Sequence, residues 1–253
     1  MSTKEDRNLA ASHTAAAIQR RLERGARHSY LRDFIFGAVD GAVTTFAVVS
    51  GVAGANLSAG IVVILGIANL VGDGFSMAVS NFLATRADQE LREMARKMEE
   101  AHIEQVPEGE REEIRQIFAA KGFKGEALEK AVAIITSDKR RWIDTMLKEE
   151  LGFADEGISP WKAGLATFTA FIFVGLLPLL SFLVRLCAPE LKFNPFFVSA
   201  VLTGAAFFIV GAFKSRFVGE KWFRAGLETL VVGGAAAGLA FAAGAILQKF
   251  VLV

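Results

Sequence analysis

Two carboxylates stand inside long apolar runs, and chemistry is to be sought there first. Asp40 is the only charged residue in 34–55, and Asp73 is the only one in 57–85. An ionisable side chain inside a membrane-length segment costs roughly 2.5–3.5 kcal/mol on insertion scales, which makes it a functional candidate by default. Asn69 lies one turn before Asp73 and Met77 one turn after it, so the three share a helix face. That face offers an amide oxygen, a carboxylate and a thioether, and Asp40 can complete the set from a neighbouring helix. Mg²⁺ and Ca²⁺ want oxygen donors alone. A soft donor among hard ones suits a first-row transition ion such as Fe²⁺. The plainer alternative makes both aspartates hydrogen-bonded structural groups and Met77 ordinary packing.

A second set of donors follows in a strongly charged stretch. Glu99 and His102 are three residues apart, Glu110 and Glu113 are three apart, and Met146 and Glu150 are four apart. On helices each pair aims two donors at one place, and Glu/His pairs at this spacing build iron–carboxylate centres in helical bundles. Met94, Met98 and His102 also fall on one stripe. Acidic residues at helical spacing describe a solvated helix face equally well, and metal affinity separates the two readings.

The elements that must position these residues are helices. Five apolar stretches, 34–55, 57–85, 163–184, 193–213 and 229–247, are 19 residues or longer. About 20 helical residues cross a bilayer core of about 30 Å, so the fold class is all-α, a polytopic membrane protein with five transmembrane helices. Segment 86–159 holds 18 of the 27 acidic and 13 of the 28 basic residues. It reads as a helical bundle inserted between the second and third spans. With no proline from Ser58 to Val106, the second span is expected to continue as one helix until Pro107 stops it. Helices are then expected after Pro107, over about 125–137 and over about 139–151, with a glycine-rich linker returning to the membrane at Pro160. Gly37-x-x-x-Gly41 and Gly234-x-x-x-Gly238 predict close helix packing, within a subunit or between subunits.

The division of the chain is therefore 1–32, a basic amphipathic segment; 33–85, spans one and two; 86–159, the bundle; and 160–253, spans three to five. Short-loop Lys and Arg counts put the N-terminus and 86–159 on the cytoplasmic side and the C-terminus outside. The alanine-rich, basic run 12–30 is expected as a helix on the anionic cytoplasmic face. With no organelle-targeting segment in view, a bacterial inner membrane is the expected location. A net charge of +1 gives no reason to expect nucleic acid as a partner. One cysteine, Cys187, excludes an internal disulfide and CxxC metal sites. His13, His28 and His102 all lie outside the apolar stretches and no nucleophile–base pairing is evident, so no enzyme is expected.

At these residues the chain resembles the vacuolar iron transporter family. Phe36-Gly37-Ala38-Val39-Asp40-Gly41 is similar to its Gly-x-x-Asp-Gly signature. Asp73-Gly74-Phe75-Ser76-Met77, followed by Asn81-Phe82-Leu83, is similar to its Ser-Met run, and the Pro178 region and 230–237 are similar as well. The resemblance implies a homodimer in a lipid bilayer with five spans per subunit. It implies export of Fe²⁺, and sometimes Mn²⁺, from the cytosol in exchange for protons, along a path at the dimer interface lined by Asp40 and Met77. It further implies a cytosolic domain binding divalent ions through Glu99, Glu110, Glu113, Met146 and Glu150, sites that also suit Co²⁺ or Zn²⁺. His102 and Leu147 depart from the family's glutamate and second methionine. Asn69 stands where some members carry a glutamate, which Asp73 is placed to replace. A Mn²⁺-selective transporter and a membrane-anchored metal sensor or store are the competing readings.

Overall fold

The structure, a computed structural model, describes residues 11–23, 30–153 and 158–251. Among them all regular structure is helical: α1 (Ala15–Glu23), α2 (Leu31–Gly54), α3 (Ala59–Gln105), α4 (Pro107–Ala120), α5 (Gly125–Thr136), α6 (Lys139–Glu149), α7 (Pro160–Gly175), α8 (Leu177–Cys187), α9 (Pro195–Val218) and α10 (Trp222–Val251). Four of them, α2, α3, α9 and α10, are long and apolar enough to cross a bilayer, and α7 with α8 makes a fifth if that bent pair is one span. Of the basic segment expected over 12–30, α1 is helical, while residues 24–29 lie outside the described residues.

The chain divides into two compact units, one of Met1–His28 and Arg86–Ile158, the other of Ser29–Thr85 and Ser159–Val253. The uninterrupted α3 contributes to both. Its 47 residues end where Pro107 begins α4.

In the unit holding the apolar helices, α2 packs against α7 with almost no side chain between them. A Cβ on Gly41 would stand 2.5 Å from the Phe171 carbonyl oxygen, and one on Gly37 would collide with the Thr167 carbonyl. Gly234 and Gly238, in contrast, have nothing within 4 Å of a would-be Cβ. The two GxxxG spacings therefore differ in use: the first closes a seam inside the chain and the second stays open. The core is Ala42, Phe46, Val49 and Val52 of α2, Val62 and Leu70 of α3, Phe171, Leu179 and Phe182 of the α7–α8 pair, and Phe207 and Ala237 beyond.

The third apolar stretch, expected as one span over 163–184, is bent. It is two helices meeting at 48°. Pro178 has no N–H for the helix ladder, and its ring crowds the carbonyl one turn back. The buried Ser199 hydroxyl donates to the carbonyl of Pro178 at 2.6 Å, tying α9 to α8. Asn194 caps α9, its Oδ1 accepting from the N–H groups of Phe196 and Phe197.

In the other unit, α4, α5 and α6 close over the last turns of α3. Ala95, Ile103, Ile114, Val132, Trp142, Ile143, Met146 and Leu147 form the core. Asp138 caps α6 by accepting from the Arg141 N–H at 2.7 Å, and Lys139 reaches Glu100 at 2.8 Å. These contacts orient α6 so that Met146 and Leu147 face inward, 0% and 1% exposed.

Candidate metal path and metal centre

Asp40 lies mid-way along α2 and is half-buried, with the Asp73 carboxylate near enough to act on it electrostatically. The Thr44 hydroxyl donates to the Asp40 backbone carbonyl at 2.8 Å. Asn69 faces the same stretch of α2, its Nδ2 donating long hydrogen bonds to the hydroxyls of Thr44 at 3.4 Å and Thr45 at 3.5 Å. Met77 packs half-buried against the core, whereas Asp73 is exposed. The face expected to carry Asn69, Asp73 and Met77 is thus a seam in this chain: its flanks turn inward and the carboxylate sits at the open edge. Large apolar side chains on the opposite side of α3 are exposed as well, among them Val71 and Phe75.

One turn beyond Met77 stands a group that sequence reasoning missed. The Asn81 Nδ2 donates to Asp33 Oδ1 at 2.9 Å and to Thr167 Oγ1 at 2.7 Å, joining α3, α2 and α7. Asn81 continues the series 69, 73, 77 by one more turn, and that extension was the available signal. Nothing in the pattern of 163–184 marks Thr167.

The second constellation forms at the turn between α3 and α4. Val106 leaves helical geometry, Pro107 restarts the helix, and Glu110 then lies one turn into α4, against the end of α3. One donor atom each of Glu99, His102 and Glu110 lies within 4.8 Å of the other two. His102 Nδ1 stands 3.4 Å from a Glu110 carboxylate oxygen. Glu99 and Glu110 are 2% and 5% exposed, and the Oε2 atom of each is buried without a hydrogen-bond partner. Such orphaned acceptors are rare inside proteins. Glu113 and Glu150 meet beside this pair with their carboxyl groups in hydrogen-bond reach. Met146 is buried in the bundle core, one turn before Glu150.

Burial, with Glu110, Glu150 and Glu113 close by and only His102 opposing them, pushes the Glu99 carboxyl up from 4.5 to about 7. Burial likewise raises Glu110, with Glu113 adding to it and His102 opposing, and raises Glu150, again with Glu113. A cation meets the electrostatic need of this cluster, and two carboxylates with an imidazole suit a first-row transition ion better than Mg²⁺. The sign of the pH effect follows. The folded chain holds the Glu99 proton more tightly than the unfolded one, so metal-free stability from this group is complete below 4.5 and is lost as pH rises to about 7. Metal must displace that proton, so affinity is expected to fall as pH drops below about 7. Thermal melts with and without Mn²⁺ from pH 5 to 8 check both signs; a Mn²⁺ gain that is flat with pH would contradict them.

The sequence model described as the VIT family matches residues 31–245. The chain is 34% identical over 228 residues to the vacuolar iron transporter of Toxoplasma gondii, covering 88% of this chain and 76% of that protein. It is 33% identical over 223 residues to vacuolar iron transporter 1 of Arabidopsis thaliana, covering 86% of each. With vacuolar iron transporter 2 of Oryza sativa subsp. japonica it shares 32% identity over 216 residues, 83% of this chain and 85% of that one. Relatives named for a vacuole lend no support to a bacterial inner membrane.

Proposed function

This chain belongs to the VIT family, the vacuolar iron transporters, and from that premise we propose that it carries Fe²⁺ across a membrane, out of the cytosol and in exchange for protons. The observation that carries the reading is the pair Asp40 and Asp73, two carboxylates within electrostatic reach of each other in helices otherwise apolar enough to span a bilayer. A carboxylate in an apolar span is costly until it meets a cation or a proton, and alternation of the two is the chemistry of antiport. Asn69 and Met77 supply a neutral oxygen and a soft sulfur beside them.

The proposed arrangement has five spans, with the N-terminus and the bundle of 86–159 cytoplasmic, following the Lys and Arg excess. There Glu99, His102, Glu110, Glu113, Met146 and Glu150 collect ions and hand them on to Asp40. A homodimer is favoured by the exposed edge of α3. A carboxylate turned to lipid is costly, and Asp73, exposed within the apolar part of α3, is better covered by a second copy than by acyl chains. Mn²⁺ fits the same donors and is the proposed second cargo.

Purified protein in liposomes holding a metal-quenched dye is expected to pass Fe²⁺ and Mn²⁺ but not Mg²⁺. Acidifying the compartment that receives the metal is expected to speed the flux, with protons moving the opposite way. Flux indifferent to the pH gradient would mean a uniporter. Binding without any flux would favour a membrane-anchored sensor or store, a reading supported by the Glu99–His102–Glu110 cluster being complete within one unit.

A further inference from the structure

We propose that Asn81, gripped between Asp33 and Thr167, is the positioning residue that sets the α3 face bearing Asp73 and Met77 against Asp40. The proposal rests on the transport reading for its functional meaning and on geometry for its substance. Along its apolar part α3 is held on one side, where Gly164 of α7 comes close to the Ala78 carbonyl and Phe82 meets the Trp161 ring at 4.7 Å. Val62 and Leu70 enter the core, while Ile64, Leu65, Val71, Phe75 and Leu83 stay exposed. Among its links to α2 through side-chain hydrogen bonds are the long contacts of Asn69 with Thr44 and Thr45 and the much shorter one of Asn81 with Asp33, at 2.9 Å. A bond of that length is well inside the range of a strong N–H···O interaction, and those at 3.4 and 3.5 Å are at its limit.

The third partner fixes the polarity of the link. Thr167 is 0% exposed, and its one hydroxyl hydrogen is directed to backbone carbonyls, that of Ala163 at 3.1 Å or that of Asp33 at 3.4 Å. Toward Asn81 it can only accept. The amide must therefore present its NH₂ to both Thr167 and Asp33, and its two N–H bonds are spent on two different helices. Because 73, 77 and 81 follow at four-residue steps on one face, a clamp at Asn81 fixes the rotation of α3 and with it the direction of Met77 and Asp73. The glycine seam of Gly37 and Gly41 already holds α2 on α7. The clamp fixes the rotation of α3 on that pair, beside the close approach of Gly164 to the Ala78 carbonyl.

The test uses the full-length protein. Thr167→Val keeps the shape but removes the acceptor, Thr167→Ser restores it, and Asn81→Leu removes both donors. The expected result is a rise in KM for Fe²⁺ of about ten-fold in Thr167→Val and Asn81→Leu, the scale of one buried hydrogen bond left unmade. Thr167→Ser is expected to stay near the parent. An unchanged KM, a fall in Vmax alone, or a loss that Thr167→Ser fails to recover would overturn the proposal. A reading independent of transport comes from nitroxide labels at the exposed positions Phe36 and Phe75 in a Cys187→Ser background. Dipolar broadening is expected to change in Thr167→Val and not in Thr167→Ser, and unchanged spectra in both would overturn the clamp even if the parent carried no metal. Absence of Fe²⁺ flux in the parent, with the spectral change present, would reject transport and leave the clamp standing.

Discussion

An Asp40→Asn variant is expected to insert and fold like the parent and to lose Fe²⁺ flux on the order of 100-fold, equivalent to about 3 kcal/mol of interaction with a partly desolvated ion. The amide keeps the size of the carboxylate and loses its charge, which is what offsets stripping water from a divalent cation. The seam between α2 and α7 does not involve the Asp40 side chain, since it is made by Gly37 and Gly41 against the Thr167 and Phe171 backbone. Loss of flux in a chain that still inserts would therefore report on the charge. Met77→Leu is expected to be milder and to shift preference away from softer ions, because a thioether discriminates by softness. Flux assays of both variants with Fe²⁺ and Mn²⁺ decide the matter, and unimpaired Fe²⁺ flux in Asp40→Asn would remove that residue from the path.

The second large effect concerns the bundle. Glu110→Ala combined with Glu113→Ala is expected to abolish the gain in thermal stability that Fe²⁺, Mn²⁺, Co²⁺ or Zn²⁺ gives the parent. At a metal concentration about 100-fold above Kd that gain is about 2.7 kcal/mol, or a few degrees in the melting of a domain. The metal-free comparison is expected to run the other way. The two substitutions remove neighbours that raise the Glu99 carboxyl, so the metal-free variant is expected to be at least as stable as the parent near pH 7. A cavity at Glu110 opposes this, so Glu110→Gln, which keeps the volume, serves as the companion. Flux at low metal is expected to slow without stopping, since these residues feed the path and do not form it. A solvated acidic face would behave differently. Its stabilisation would be small, equal for Mg²⁺ and Zn²⁺, and screened over about 8 Å at physiological salt.

These two effects divide along a line that also separates what is readable in the chain from what is not. Asp40 is visible in the sequence because one charge in an apolar run has no neighbours to hide among. The length of α3 is visible because only Pro107 interrupts it, and a missing N–H is a local fact that needs no tertiary partner. Glu99 with His102, and Glu110 with Glu113, are legible as pairs because helical spacing alone decides which residues share a face.

The convergence of those pairs is another matter. It depends on the angle at Val106 and on Ile103, Ile114 and Met146 filling one core, so that Glu99 and Glu110 lose water together and their Oε2 atoms are left without partners. The sequence by itself determined the helices, the apolar runs, the lone carboxylates and the donor pairs, since each follows from composition or from spacing within one element. Only the tertiary structure decided which side of α3 turns inward. Hydrophobic periodicity marks a face where one side meets water, and a helix apolar all round has no such mark. For that reason Asn69 and Met77 could not be told from the more exposed Asp73, and the Gly37 seam could not be told from the open Gly234 pair. For the same reason Asn81, Asp33 and Thr167, 48 and 86 residues apart along the chain, become a single hydrogen-bonded group only when three helices pack.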